Sequence, residues 1–467
     1  MQTAADLDRQ WSDLKRLQQS VYVFHIKGKW FCFDVHSCAF CEIDAPTSAI
    51  LKALLEEKSW EEAVSGFGSD DGLEKCAEII NELHILQKES YFQVEDTLTR
   101  KRRLNASVGS LCLIMATDCN LRCKYCFADG GNYSKERKKM GLAVARKAVD
   151  FLLDKSGHRQ ELAISFFGGE PLLNFAAIHG TVLYAKDAAA ARKKKIDFSI
   201  TTNGTLFNDE MMAFFLAEGF SFIVSLDGPP DINDRFRVSK NDQGSYRLVV
   251  DKLSRYSELY PEFKERVTIR GTFASDKPEL VRSLEHLVSL GFTSISLEPT
   301  TMATAAYAVT GENLGLLLDE YDRVADFYVR CLQNGQDFSF FHILQLFHQV
   351  AEGPQRITQC GAGSSYLAID PDGKIYPCHR ILANDKYQLG SIFGNTMNMP
   401  VQTLFREASV PYKEKCRKCW ARYICGGGCH ATAIHFHDNI MEPYDIECTL
   451  MQHRIKLGAW VYSELAN

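Results

Sequence analysis

The sequence predicts an α/β protein whose central part is a parallel sheet, either doubly wound or barrel-like. Three observations predict it. Short apolar runs alternate with helical segments from residue 110 to 297, polar clusters follow those runs directly, and no cysteine falls between Cys126 and Cys331 although the chain holds 16. Repeated strand-then-helix units with short connections lay their strands side by side in parallel.

The strands are expected at Ser110–Ala116, Leu162–Phe167, Phe198–Thr202, Phe222–Leu226, Val267–Phe273 and Ser294–Leu297, where Ile, Val, Leu and Phe concentrate. Helices are expected at Leu142–Leu153, Phe175–Ala191, Asp209–Glu218, Ser245–Leu259 and Pro278–Leu290. Gly219 and Gly291 follow two of them, where a left-handed cap residue belongs. Six strands fall short of a full eight-stranded barrel. Asp118, Gly168-Gly169-Glu170-Pro171, Thr202-Asn203-Gly204 and Asp227-Gly228-Pro229 come straight after the first four strands. In such folds ligands bind at the C-terminal strand ends, so one site is already implied.

Composition narrows the classes. With 467 residues the chain has room for two to four domains with real cores. Lys+Arg 53 against Asp+Glu 59 gives a charge of −6, which argues against a nucleic-acid binder. Met1 to Gln18 alternates acids and bases without an apolar stretch, so no signal peptide is expected. No run reaches the roughly 18 apolar residues of a membrane span. The expected location is cytoplasmic, where thiols stay reduced, and 16 cysteines there suggest metal rather than disulfides.

The first candidate metal site is Asp118-Cys119-Asn120-Leu121-Arg122-Cys123-Lys124-Tyr125-Cys126, a Cys-x3-Cys-x2-Cys loop after a strand. Three thiolates this close can hold an iron–sulfur cube and leave its fourth iron open. A structural zinc would want a fourth Cys or His, and His158 is remote. Spacing favours a reactive cluster over zinc.

This loop resembles the signature of the radical S-adenosylmethionine (SAM) enzymes, which build a partial (β/α)6 TIM-like barrel. The resemblance covers about Ser107 to Thr300. Gly168-Gly169-Glu170-Pro171 is similar to the family's GGEP motif. Thr202-Asn203-Gly204-Thr205 and Ser225-Leu226-Asp227-Gly228-Pro229, continuing to Asn233-Asp234-Arg235-Phe236-Arg237, are similar to its TNG and SLDGP segments. The resemblance implies that Cys119, Cys123 and Cys126 hold a SAM-binding [4Fe–4S] cluster and that Tyr125, Gly168, Gly169, Glu170, Asn203, Ser225 and Arg237 surround SAM. Glu170 would meet the methionine ammonium, and Ser225 and Arg237 the ribose and carboxylate. The implied chemistry is reductive cleavage of SAM to a 5′-deoxyadenosyl radical that abstracts hydrogen.

A second thiol group follows: Cys416-x2-Cys419-x5-Cys425-x3-Cys429, then Cys448, with Cys360 and Cys378 upstream. It resembles the SPASM domain, which carries two auxiliary [4Fe–4S] clusters. By that resemblance Cys416, Cys419, Cys425 and Cys448 bind the outer cluster, and Cys360, Cys378 and Cys429 the inner one. That makes three clusters in all. Full ligation of the auxiliary pair takes eight thiols and seven are present, so the inner cluster is expected to have an open iron. A substrate thiolate, water or His379 would fill it. Cys331 is read as core packing, as are Cys76 and Cys112; Cys32, Cys38 and Cys41 are read as strand packing. Asp370, Asp372 and Tyr366 are read as exposed loop residues near the inner cluster.

At the N-terminus, Tyr22–Ile26 and Trp30–Asp34 flank Lys27-Gly28-Lys29 as a β-hairpin. Helical stretches follow at Thr47–Glu56, Trp60–Ser65 and Gly72–Leu86, with Ser59/Glu62 and Asp71/Glu74 at capping-box spacing. Strands then helices suggest a small winged-helix-like unit, too acidic on its helices for DNA. It resembles the RiPP recognition element of peptide-maturing radical SAM enzymes, which takes a leader peptide as an added strand. The basic runs Arg100–Arg103 and Arg192–Lys195 are read as solvated surface.

The expected division is a peptide-binding domain over 1–95, a linker over 96–106, the partial barrel over 107–310, a helical bridge over 311–355 and the SPASM domain over 356–467. This order resembles the thioether-forming (SCIFF/ranthipeptide-type) maturases. It implies an oxidoreductase that joins a peptide cysteine sulfur to carbon, with a leader-bearing precursor peptide and a flavodoxin- or ferredoxin-type reductant as partners. Anaerobic sulfatase maturation (formylglycine formation) and carbon–carbon peptide crosslinking are the alternatives, and a zinc-bearing regulatory protein is the alternative outside enzymes.

Overall fold

The computed structural model describes residues 3–65, 70–89, 91–92, 107–300, 307–352, 356–394 and 397–466. The N-terminal part runs α1 (Ala4–Leu14), β1 (Val21–Ile26), β2 (Lys29–Asp34), β3 (Phe40–Ile43), α2 (Ala45–Leu55), α3 (Trp60–Ser65) and α4 (Asp70–Lys88). Lys27 and Gly28 turn the hairpin with φ of +48° and +83°, the doubly left-handed turn that matches strand twist. Two elements lie beyond the expected hairpin and helices. Helix α1 follows from Leu7, Trp11 and Leu14, buried at helical spacing within an otherwise charged segment. Strand β3 is only four residues long, too short for alternation to reveal.

The expected Ser59/Glu62 box is present: the Ser59 N–H donates to Glu62 at 2.8 Å and the Glu62 N–H to Ser59 Oγ at 3.3 Å. Helix α2 starts two residues early because Asp44 accepts from the Thr47 N–H at 2.8 Å. Asp71 falls within the span of α4, and Leu73 is exposed, so the buried stripe of α4 is Cys76, Ile80 and Leu83.

In the three-stranded sheet, of order β1-β2-β3, strands β1 and β2 pack against a core on each face. Val21 and Cys32 pack with α1, α2 and α4. Phe24, Phe31 and Phe33 face the other way, into the main core. There Tyr22 stacks on Trp420 at 4.4 Å and 6°, a contact of about 1 kcal/mol beyond area burial.

The central part alternates β4 (Ser110–Ala116), α5 (Leu142–Lys155), β5 (Glu161–Gly168), α6 (Phe175–Ala191), β6 (Lys195–Thr202), α7 (Asp209–Ala217) and β7 (Ser221–Ser225). It continues through α8 (Pro230–Phe236), α9 (Tyr246–Leu259), α10 (Pro261–Glu265), β8 (Val267–Phe273), α11 (Leu280–Ser289) and β9 (Ser294–Pro299). All six expected strands and all five expected helices are present, and Gly219 and Gly291 have φ of +72° and +79°. Arg192 pairs with Asp154 and Lys195 with Asp197, so that basic run is a solvated strand entry. Arg100–Arg103 and the 96–106 linker lie outside the described residues.

The bridge adds α12 (Leu314–Gln333), β10 (Ser339–Phe340) and α13 (Phe341–Glu352). The C-terminal part holds β11 (Tyr366–Ile369), β12 (Lys374–Tyr376), β13 (Gly390–Ser391), α14 (Met399–Glu407), α15 (Glu414–Arg417), α16 (Arg422–Cys425), α17 (His430–His437) and α18 (Asp445–Ala466). The large sheet has the order β10-β9-β8-β7-β6-β5-β4-β11-β12-β13. Strands β4 to β10 follow one another in parallel without reversal, which removes the doubly wound alternative. Strand β11 pairs in parallel with β4 and starts a β11–β12–β13 meander, so C-terminal residues cover the edge that β4 would otherwise expose.

One face of this sheet packs on helices through Leu111, Leu113, Ile164, Ile200, Ile269, Ile295 and Leu297. Alternate residues, among them Cys112, Thr272 and Glu298, therefore point to the opposite, inner face. Helix α18 ties the molecule together. Lys29 Nζ donates to Ser463 Oγ at 2.9 Å, Lys456 lies over the Trp420 ring, and His453 Nε2 meets Asp322 of α12 at 2.9 Å. No helix among the described residues is long and apolar enough to cross a membrane.

Candidate active site

The loop after β4 is built by backbone contacts that only glycine permits. The Gly169 and Glu170 N–H groups donate to Ala116 O and Asp118 O at 2.9 and 2.8 Å, drawing the end of β5 against the start of the loop. A Cβ on Gly168 would lie 2.4 Å from Ala116 O, and one on Gly169 2.2 Å from Asp118 O. The loop is also pinned from the far side, with Arg122 N donating to Val238 O at 2.6 Å and Lys124 N to Phe236 O at 2.9 Å. Cys119, Cys123 and Cys126 thereby converge: Cys123 and Cys126 are near enough to raise the pKa of Cys119, and Cys126 that of Cys123. Burial pushes Cys119 up to about 12 and Cys123 to about 11. Such thiols stay protonated unless a metal takes them as thiolates.

Around this loop stand the other expected residues. Glu170 is fully buried and accepts from Thr202 Oγ1 at 2.8 Å, Asn203 N at 2.8 Å and Leu172 N at 3.0 Å. Burial outweighs those donors and pushes its pKa up to about 7. The Asn203 side chain donates to Asn120 Oδ1 at 2.9 Å and reaches Cys119 Sγ at 3.7 Å. Ser225 ends β7. Tyr125 and Arg237 meet at 3.0 Å, and the Tyr125 hydroxyl donates to Asp227 in a short hydrogen bond. Thr272 N donates to the same carboxylate at 2.9 Å. Burial raises the pKa of Asp227, opposed by Arg237. The Nε of Arg237 is buried without a partner. Asp227, Asn120 and Thr202 were not among the expected site residues, although Asp227 and Thr202 sit inside the motifs.

The seven C-terminal thiols separate into two sets. Cys378 feels Cys429 and Cys360, whereas Cys448 feels Cys425, Cys416 and Cys419. Cys425 is pushed up to about 12 by burial, eased by the Gly427 and Gly428 amides. Gly426, Gly427 and Gly428 all have left-handed φ, and a Cβ on Gly426 would lie 2.5 Å from the Thr358 carbonyl carbon. That glycine run was a readable sign of a tight anion-binding turn. Three cations or donors had no sequence sign. Arg380 Nη1 donates to Cys429 Sγ at 3.3 Å, Gln452 Nε2 to Cys419 Sγ at 3.4 Å, and buried Lys413 lies among Cys416, Cys425, Cys429 and Cys448. Among the described residues no three His, Cys, Asp or Glu side chains close to single-ion spacing.

Cys331 is buried in α12 near Arg330 and Glu285, outside both sets. His379 neighbours Cys378, shares a 2.7 Å hydrogen bond with Tyr366 and stacks near Phe167 at 4.6 Å, and burial lowers its pKa to about 3. Tyr366 is thus enclosed on the inner face rather than exposed in a loop. Asp370 is buried and accepts from Asp372 N and Lys374 N, closing the β11–β12 turn. Cys32 and Cys41 are direct cross-strand partners, while Cys38 sits in a turn at φ +62°, so these three form no single site.

The Radical SAM superfamily model matches residues 113–284, and the SPASM model, an iron-sulfur cluster-binding domain, matches residues 360–420. The chain carries a radical SAM domain and a SPASM domain. It is 26% identical over 349 residues to a cysteine-type anaerobic sulfatase-maturating enzyme of Clostridium perfringens, covering 70% of the chain and 90% of the relative. It is 25% identical over 482 residues to the radical SAM cyclopropyl synthase TigE of Paramaledivibacter caminithermalis, covering 96% and 94%. Among solved structures, anSMEcpe with bound AdoMet matches with a TM-score of 0.63 at 20% identity, covering 77% of this chain and 99% of that one. Streptococcus suis SuiB bound to precursor peptide SuiA matches with a TM-score of 0.53 at 15% identity, covering 92% and 98%. At these identities the structural likeness concerns the fold.

Proposed function

We propose that this radical SAM–SPASM enzyme binds SAM and modifies a ribosomally made, cysteine-containing peptide, most specifically by forming a Cys sulfur-to-carbon thioether. The observation that carries the peptide reading is coverage. The sulfatase-maturase relative leaves almost a third of the chain unmatched, whereas TigE and peptide-bound SuiB cover 96% and 92% of it. We read 1–95 as the peptide-binding domain, 107–310 as a partial barrel and 356–467 as the domain of two auxiliary clusters, with a cytoplasmic location and a flavodoxin- or ferredoxin-type reductant.

The residues fit SAM. Cys119, Cys123 and Cys126 supply three sulfurs for one cube, Glu170 keeps acceptor capacity for an ammonium, and the buried Nε of Arg237 awaits a carboxylate. Held by these residues and reduced, SAM would supply hydrogen-abstracting radical chemistry. Tyr125 and Asp227 hold the Arg237 guanidinium in place, and Asn203 braces Cys119. Cys360, Cys378 and Cys429 would hold the inner cluster, and Cys416, Cys419, Cys425 and Cys448 the outer one. A fourth ligand of the inner cluster would come from a substrate thiolate, water or His379.

Carbon–carbon bond formation is the second reading, favoured by the match to a cyclopropyl synthase over 96% of the chain. Both reactions remove two hydrogens per bond. Co-expression with a small cysteine-rich precursor peptide from the same gene neighbourhood, followed by thiol alkylation and mass spectrometry, separates them. A thioether abolishes one alkylatable thiol per link, and a carbon–carbon bond leaves it. Exchange of sulfur for oxygen together with loss of two hydrogens would instead support formylglycine formation. Cys119→Ala should abolish both product and 5′-deoxyadenosine; persistence of the latter would sink the cluster assignment.

A further inference from the structure

The inner face of the sheet carries a hydrogen-bonded chain that the SAM site does not use. It joins four elements: Arg454 of α18, Tyr321 of α12, His342 of α13 and Glu298 near the C-terminal end of β9. The Tyr321 hydroxyl and His342 Nδ1 are 2.9 Å apart, and His342 Nε2 and Glu298 Oε2 are 3.2 Å apart. Arg454 donates to the Tyr321 oxygen in a short hydrogen bond. These contacts admit one assignment of protons. A guanidinium only donates, so the Tyr321 oxygen accepts and its proton points to His342 Nδ1. The imidazole therefore carries its proton on Nε2 and donates it to Glu298. Ser296 Oγ adds a second donor, 3.1 Å from Glu298 Oε1.

Every group in the chain thus pushes positive hydrogen toward one carboxylate. Arg270, which shares the inner face, and Arg454 add like-signed potential, and with His342 they hold Glu298 well below the usual carboxylate range. Burial keeps His342 neutral. A carboxylate offers about four acceptor positions, of which donors among the described residues fill two. Glu170 and Asp227 belong to the proposed SAM site, whereas Glu298 stands outside it and keeps 27% of its side chain accessible. It also lies between the two halves of the chemistry. Its cross-strand partner Thr272 donates to Asp227 of the SAM-side cluster, and Arg380, bonded to Cys429, feels its charge.

We propose that Glu298 is a substrate-binding residue, accepting a hydrogen bond from an N–H group in the reacting segment of the peptide. His342, Ser296, Tyr321 and Arg454 are positioning residues that fix its charge and orientation. This rests on the peptide reading above. Strong ionisation suits an anchor rather than a base, which would need a pKa near neutrality. The N–H comes from a backbone amide or from a Lys or Arg side chain.

The test uses the full reconstituted chain and the precursor peptide of the co-expression experiment. Glu298→Gln keeps an oxygen for His342 but loses the charge, so KM for the peptide should rise about ten- to a hundredfold, with a much smaller change in kcat. More 5′-deoxyadenosine should form per modified peptide, and Glu298→Asp should recover part of the loss. A purely structural Glu298 would lower the melting temperature and kcat at unchanged KM, which overturns the assignment, as does wild-type KM and coupling in Glu298→Gln. Should that variant not fold, Ser296→Ala decides, with a severalfold rise in KM expected and none overturning it. Peptides with Lys and Arg replaced by Gln identify the donor: a persistent Glu298→Gln effect assigns a backbone amide, and a vanished one a cationic side chain. If the wild type leaves the peptide unmodified, the peptide reading falls and this assignment falls with it.

Discussion

Glu170 shows how one buried residue couples ligand binding to stability. Three donors would normally pull a carboxyl pKa down, yet full burial wins and raises it from 4.5 to about 7. An acid whose folded pKa exceeds its unfolded value favours the folded state at low pH. That contribution is complete below about pH 4.5 and is lost as pH rises through about 7. Relative to Glu170→Gln, the SAM-free wild type should therefore lose up to ~3 kcal/mol of stability across that window. Urea unfolding of both proteins at about pH 5 and about pH 8 measures this; parallel pH profiles would contradict the burial argument. Residues of this kind were legible in the sequence because their motifs are contiguous. Cys119, Glu170, Asn203 and Arg237 each sit in a short string tied to one strand end. Glu298, His342, Tyr321 and Arg454 come from four separate elements, and no periodicity in the chain connects them.

At the scale of elements, the three-stranded sheet fixes where a peptide strand can add. The Asp34 N–H donates to Ala39 O at 2.8 Å, which sets the phase of the β2–β3 ladder. In an antiparallel pair hydrogen-bonded positions alternate, so Cys41 and Ile43 bond to β2 while Phe40 and Glu42 turn their N–H groups outward. Glu42→Pro removes one outward N–H and leaves the ladder to β2 whole. It should weaken precursor binding about tenfold in fluorescence anisotropy without changing the melting temperature by more than a few degrees; unaltered binding would mean that β3 is not the docking edge. Deleting residues 1–95 is a poorer probe, because it would strip the aromatic cover from Trp420. The hairpin and its acidic helices could be read from the chain. Strand β3 could not, since four residues flanked by a turn and a cap carry too little pattern.

At the scale of the molecule, 16 cysteines in one chain looked like metal before anything else did. Ten of them gather in three sets, one within the single loop Cys119–Cys126 and two assembled by the fold from thiols spread over residues 360 to 448. The strand order explains why a long stretch between them needs no thiol. It is the scaffold that holds the first set and offers β4 as an edge for β11. That edge pairing was illegible, because β11 is separated from β4 by some 250 residues and nothing local records the partner.

Helix α18 is 22 residues long and touches the N-terminal sheet at Ser463, the Glu298 chain at Arg454 and the outer thiol set at Cys448. It is in effect a caliper. At 1.5 Å per residue its jaws at Ser463 and Arg454 stand about 14 Å apart, a gap that an extended peptide crosses in no fewer than about four residues. Which residue of the peptide reacts is then a matter of length before it is one of identity. Lengthening the spacer between the docking segment and the core by two or three residues should slide the modified position by the same count, as tandem mass spectrometry would reveal, and a spacer cut below the gap should leave the peptide bound but untouched.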